Sequence, residues 1–494
     1  MTVTVASCTL AEIFDAHINN ASITASDGNE ISGELTLPEY QRPYRWGRAQ
    51  VERLLSDYKR YLAEVVASPS KYGYYLGSLI LHQASEDGCL NIIDGQQRLT
   101  TLALIAYTQS ALNGSSFDLS LSYDSPESHQ QIKRNLDWLS ANQLDIIKVF
   151  DPKKINLTLV VTRSEDDAYR FFETQNTGGV RLGGPDIIKA SHLRAVARDL
   201  QHEFASKWEA LGDLNPIVIS LLKGRYWQQI NGQEVPSHRE PNEIRKSIVK
   251  ELGENTGKGS DIAFGQVKRT YFANGCQVDE QMQQGYAMRQ PLNSGVNTIH
   301  YLSYFEGLRS KYLSVCKKKA ISKGELAGFH RFYQNLVCKL EGCSFLKGLY
   351  DTSLLLYISQ FGESSLEIAA KKLFRVIYSP RVRNQKTVRE DSISKFVREN
   401  PVLDWIAISY TPEMCFDYLD SFKLEVDVTN LDPDKNSVKK RFVKSVLKFL
   451  SDPQDFDAIK SLSAQDLALR YEVTLDGKIV SLSSTIIKQD ELDG

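Results

Sequence analysis

Leu157, Leu159 and Val161 alternate with polar neighbours, the pattern of a half-buried strand, and strand-like runs also occupy 74–83 and 90–93. Gly77, Gly88 and Gly95 punctuate those runs as bends or points of close backbone approach. A capping box, Thr9 with Glu12, predicts a short helix through Phe14, and 48–66 carries an amphipathic helical pattern. Leu35 and Leu37 alternate with polar residues before Pro38, after which Tyr40-Gln41-Arg42-Pro43-Tyr44-Arg45-Trp46 reads as an irregular loop. Leu99, Leu102, Ala103 and Ala106 have helical spacing, so Asp94 to Arg98 falls at a strand-to-helix junction. Ser164 with Asp167 caps a helix carrying Tyr169 to Glu173. Asn176 to Gly184 is a glycine-rich loop, and Pro185 opens a further helix.

Beyond about residue 205 the texture becomes helical, as in 325–340, 365–376 and 437–450, with few strand signals. At 494 residues the chain exceeds one ordinary core. The expectation is an α+β protein of two parts: 1–205, a small mixed sheet with helices, and 206–494, mostly helical.

The 59 basic and 61 acidic side chains give a net charge of −2, so any nucleic-acid surface must be local. Seven scattered cysteines without a Cys-x-x-Cys pair predict reduced thiols in a cytoplasm. There is no basic leader with an apolar stretch, and no apolar run approaches the roughly 18 residues of a span, so no membrane role is expected.

Asp94-Gly95-Gln96-Gln97-Arg98 places a carboxylate, two amides and a guanidinium around the unpaired amides of a helix N-terminus. Gly95 lets the backbone come close, Arg98 can fork onto phosphate oxygens, Asp94 can hold Mg²⁺ or a ribose, and Gln96 or Gln97 can orient a water. The competing reading is a tight turn in which Arg98 pairs with Asp94.

Three segments in order carry a resemblance: Leu37 to Trp46, Tyr75-Leu76-Gly77-Ser78-Leu79, and Ile92 to Leu102. They closely resemble the N-terminal domain of the GmrSD family. A fourth, Phe172 to Leu182 followed by Asp186-Ile187-Ile188-Lys189, looks like that family's downstream motif. The resemblance covers roughly residues 8 to 205. It implies a ParB/sulfiredoxin-like fold and ties Asp94, Gln96, Gln97 and Arg98 to binding and hydrolysis of a nucleoside triphosphate with Mg²⁺. By the same carry-over Gln41, Arg42, Gly95, Thr100, Asn176 and Asp186 contact the nucleotide, with the glycine turn before Asp186 able to close over the site. Tyr44 and Trp46 either stack on a base or anchor their loop in the core.

Many relatives end in a His-Asn-His nuclease, but the 164 residues after His330 contain no histidine. The resemblance therefore implies a nucleotide-handling component of a modification-dependent, anti-phage restriction system, with its nuclease on another chain and homo-oligomers allowed. Two rival readings are a nucleotide-gated switch without turnover, and a nuclease using Asp94 and Asp186 as metal carboxylates.

Basic groups occur at Lys317-Lys318-Lys319, among Lys371, Lys372, Arg375, Arg381, Arg383, Lys386 and Arg389, and on a helix with Lys439, Lys440, Arg441, Lys444 and Lys448. Solvated helix faces explain such groups. As a DNA contact the preferred candidate is Arg381, Arg383 and Lys386, in an expected loop over 379–385.

Overall fold

The alternation at Leu157, Leu159 and Val161 builds a strand whose odd positions, from Ile155 to Val161, are all buried while Asn156, Thr158 and Val160 are half-buried. In the computed structural model this strand belongs to the first of two compact units, Met1–Ala210 and Leu211–Gly494. The structure describes residues 3–67, 73–85, 88–114, 117, 122–123, 125–142, 145–164, 167–168, 183–229, 233–271, 278–314, 326–383, 388–432, 434, 436–451, 459 and 462–482.

The first unit runs β1 (Val3–Thr9), α1 (Leu10–Asn19), β2 (Ile23–Thr24), β3 (Glu30–Ile31), β4 (Leu35–Thr36), α2 (Arg48–Ala67), β5 (Tyr74–His82), β6 (Leu90–Asp94), α3 (Gln96–Leu112), α4 (Pro126–Asn142), α5 (Asp145–Lys148), β7 (Ile155–Thr162), α6 (Gly184–Ala195) and α7 (Gln201–Ala210). Five strands form one mixed sheet in the order β1-β7-β5-β6-β4, and β2 pairs with β3. β7 is antiparallel to β1 and parallel to β5, while β6 is antiparallel to β5 and parallel to β4.

Local sequence explains the ends of these elements. Thr9 and Glu12 form the expected reciprocal cap, but α1 continues past Phe14 to Asn19, where Asn20 turns left-handed at φ 53°. Pro185 sits in the first turn of α6. Ser164 accepts from the Asp167 amide, and the helix expected over 169–173 lies outside the described residues.

Helix α3 has eleven buried positions from Gln96 to Thr108, polar ones included, so it threads the core instead of lying on it. Around it close Leu10, Ile13 and Phe14 of α1, Val51 and Leu55 of α2, and the inward residues of β5, β6 and β7.

The second unit is mainly helical, with Ala327–Asn335, Leu366–Ile377 and Val438–Leu450 near the expected positions and Ser344–Phe361 beyond them. Together the two units make an α+β chain. Three expectations are corrected. Phe264–Tyr271 and Val278–Gly285 pair as an antiparallel hairpin where few strand signals stood. Ser379–Arg383 is a short helix, not a loop. Cys338 is disulfide-bonded, whereas Cys8, Cys343 and Cys415 are buried thiols and Cys89 is an exposed one. Among the described residues no helix is long and apolar enough to cross a membrane.

Because Leu159 is 1 % exposed in the paired interior of the sheet, Leu159→Ala should lower unfolding free energy by about 2–5 kcal/mol. Urea denaturation of the full chain followed by far-UV dichroism checks this; a loss below roughly 1 kcal/mol would place that side chain outside a packed core.

Candidate functional site

The loop after β4 has an irregular backbone and so cannot satisfy its buried amides and carbonyls by joining the sheet. Side chains from two flanking motifs do so instead. Gln41, buried, donates through Nε2 to the carbonyls of Ile92 and Ile93 at the end of β6, both at 2.9 Å. Gln96 donates to the Arg42 carbonyl at 3.0 Å, and Gln97 to that of Pro43 at 3.1 Å. Gln97 Oε1 accepts from the amides of both Arg45 and Trp46, at 2.8 and 3.1 Å.

Tyr44 is fully buried, its hydroxyl 2.8 Å from Thr101 Oγ1 and accepting from Asn135 at 2.9 Å; burial raises its pKa, with those two bonds opposing. It is thus an anchor, and Trp46 packs at the core edge with its carbonyl bound to Asn135. Neither ring lines the cleft beside the loop.

Arg98 is engaged in the same way. Its guanidinium donates to the carbonyls of Leu76 and Ser78, at 3.2 and 2.7 Å, and to Asp94 Oδ2 at 3.1 Å. Those carbonyls flank Gly77, where β5 shifts register; Gly77 has φ +111°, and a Cβ there would lie 2.7 Å from Arg98 Nη1. Gly95 turns the chain into α3 at φ +99°, with Leu79 Cδ1 2.6 Å from where its Cβ would stand. Thr100 is buried and bonds back to the Gln96 carbonyl at 2.8 Å and to the Tyr123 hydroxyl. In this structure the Asp94–Arg98 pairing is present, and Gln97, Arg98 and Thr100 are engaged with the protein's own groups.

A charged cluster borders this scaffold. Arg45 reaches both Asp186, at 3.1 Å, and Glu127, at 2.9 Å; Asp186 also accepts from the Gly183 amide at 3.1 Å. Arg42 is half-buried, and burial lowers its pKa; Asp186 and Asp94 oppose that shift while Arg45 adds to it. Asp94, Asp186, Arg42 and Arg45 thus share one electrostatic environment. Asn176 lies outside the described residues.

An open cleft adjoins the loop, lined by Gln41, Arg42, Gln96, Tyr123, Lys189 and Glu209 among others. Lys189, 4 % exposed, donates to the Gln41 carbonyl at 2.9 Å and to Glu209 Oε1 at 2.6 Å, and Ser125 Oγ donates to Glu209 Oε2 at 3.2 Å. Sequence reasoning missed Glu209, Ser125 and Tyr123. Only Lys189 left a signal: a lysine in the apolar run Ile187-Ile188-Lys189-Ala190.

A nucleoside triphosphate needs cations for its phosphates and carbon surface for its base. Arg42 and Lys189 supply the first, and Leu37, Pro38 and Tyr123 the second, so the residues fit such a ligand. For a bare Mg²⁺ they do not: no group of three or more His, Cys, Asp or Glu side chains able to hold a metal occurs among the described residues, and Asp94 is paired with Arg98.

The DNA candidates are not gathered on an open surface. Arg381 is 5 % exposed and donates to the Gly342 carbonyl, so it offers no groove contact. Arg383 is exposed, 3.4 Å from Glu425, and Lys386 lies outside the described residues. Lys372 binds Asp420, Arg375 binds Asp476 and Lys439 binds Asp427, each from a buried position. Lys317 to Lys319 lie outside the described residues.

The first unit is therefore an α+β domain whose cleft is framed by a strand-to-helix junction and an inserted loop. Residues 22–193 match the GmrSD restriction endonuclease, N-terminal domain, and this part of the chain is a domain of that family. Residues 200–433 match a family of unknown function, DUF7834. No curated protein matches the chain.

Removing the Arg98 guanidinium strands two carbonyls and a carboxylate, so Arg98→Ala should cost about 2–4 kcal/mol of stability. The urea midpoint of that variant decides; a loss below roughly 1 kcal/mol would mean that Arg98 is not a brace.

Proposed function

We propose that this chain is the NTP-binding and NTP-hydrolysing component of an anti-phage, modification-dependent restriction system, acting with a nuclease carried on a separate chain. The observation that carries the reading is the cleft, which draws Gln41 and Arg42, Gln96, and Lys189 from three of the family-like segments onto one wall. Its membership in a restriction-endonuclease domain family supplies the context. Arg42 and Lys189 are the cations suited to the phosphates. Mg²⁺ enters as the counter-ion of the nucleotide, since such ions commonly take only one or two protein carboxylates and otherwise bind phosphate and water.

A specific observation favours a second reading, a nucleotide-gated switch that turns over little. Gln97 and Arg98, the residues best suited by type to orient a water or stabilise charge, are bonded to main chain and to Asp94. A ligand in the cleft would act on the loop that Gln41 and Gln96 fasten.

Phosphate release from the purified chain with each of the four NTPs and Mg²⁺, with and without DNA, separates the two. Turnover that falls roughly ten- to hundredfold in Arg42→Gln, the loss of one charge-assisted contact, is expected. Binding without turnover selects the switch, and absence of both binding and turnover rejects the nucleotide reading.

A further inference from the structure

Lys189 is a cation held in the wall of an open cleft, with Glu209 the one carboxylate paired with it among the described residues. The pair is not a surface ion pair: the lysine side chain is 5 % exposed and the glutamate's 16 %. A buried ammonium is strongly disfavoured without a counter-charge, so some anion must stay with Lys189 in every state of the cleft. Glu209 meets that need in the empty cleft, and Ser125 holds it there by donating to its second oxygen. The Gln41 carbonyl supplies the remaining contact to the ammonium and cannot serve as counter-charge. A triphosphate drawn to Lys189 meets the carboxylate at close range, a repulsion screened less by salt than one at the surface.

We infer that Glu209 is an internal anionic gate on the phosphate end of this cleft, occupying Lys189 until a nucleoside triphosphate displaces it. The inference rests on the nucleotide reading above and adds its regulation. Lys189 exchanges one anion for another, so its charge is never left uncompensated. Glu209 swings away with Ser125 or toward solvent, and affinity is set by the difference between two anions' hold on one lysine. Because Lys189 also grips the Gln41 carbonyl, the exchange bears directly on the loop that carries Gln41 and Arg42.

The test is titration calorimetry of the full chain with ATP and with inorganic tripolyphosphate, each in EDTA and in Mg²⁺. Glu209→Gln, nearly isosteric, should bind both probes about tenfold tighter than wild type, and Glu209→Asp should return toward wild type. The pair replacement Lys189→Met with Glu209→Gln should lose the gain. Ser125→Ala, which loosens the gate without touching either charge, should tighten binding severalfold and keeps the test alive if Glu209→Gln folds poorly. Wild-type binding that Glu209→Gln and Ser125→Ala leave unchanged or weaken overturns the gate while the nucleotide reading stands. Weakening only in Mg²⁺ makes Glu209 a metal ligand and also overturns it. Failure of wild type and variants alike to bind either probe removes both readings.

Discussion

A chain segment that enters a folded core without joining a sheet or helix must find partners for its amides and carbonyls, and here that need is met by side chains from one junction. Gln96 and Gln97, the first two residues of α3, hold the carbonyls of Arg42 and Pro43 and the amides of Arg45 and Trp46. Gln41 returns the connection by donating to the Ile92 and Ile93 carbonyls of β6. Remove these amides and the loop loses its register against the sheet, and Arg42 loses its position at the cleft. Arg98 extends the arrangement to β5, where the displaced carbonyls on either side of Gly77 turn to meet it. Glycine is required at that point because the guanidinium occupies the space of a Cβ.

The same junction divides labour between holding and binding. Gln97, Arg98, Thr100 and Tyr44 are bound inward and set the shape. Arg42, Lys189 and Glu209 face the cleft and set its charge. The carboxylates Asp94 and Asp186, which a metal-dependent nuclease would need open, are paired with Arg98 and Arg45. A motif that carries a family resemblance can therefore be kept for its geometry as much as for its chemistry.

Much of the first unit was legible because its elements are strongly patterned. The alternation in β7, the capping box at Thr9 and the proline opening α6 each have a local physical cause, and each stands where the pattern put it. The hairpin in the second unit was not legible, because Val278 and Met282 are the only large apolar residues of its second strand and no two-residue alternation marks it. Charge was misread for a related reason. Composition cannot distinguish a lysine on a solvated face from one such as Lys372, 1 % exposed and bound to Asp420 through a contact 48 residues away. Glu209 was invisible because its importance comes from facing Lys189 across two helices, which no local window contains.

The Gln97 carboxamide fastens the loop bearing Arg42, and amide hydrogen exchange at Arg45 and Trp46 reads that fastening at its two ends. Both amides donate to Gln97 Oε1, so they should exchange slowly in the wild-type chain and at least about tenfold faster in Gln97→Ala, while amides of the β5–β7 ladder stay protected in both. Fast exchange at those two amides in the wild-type chain, or no change on removing Gln97, would contradict the account.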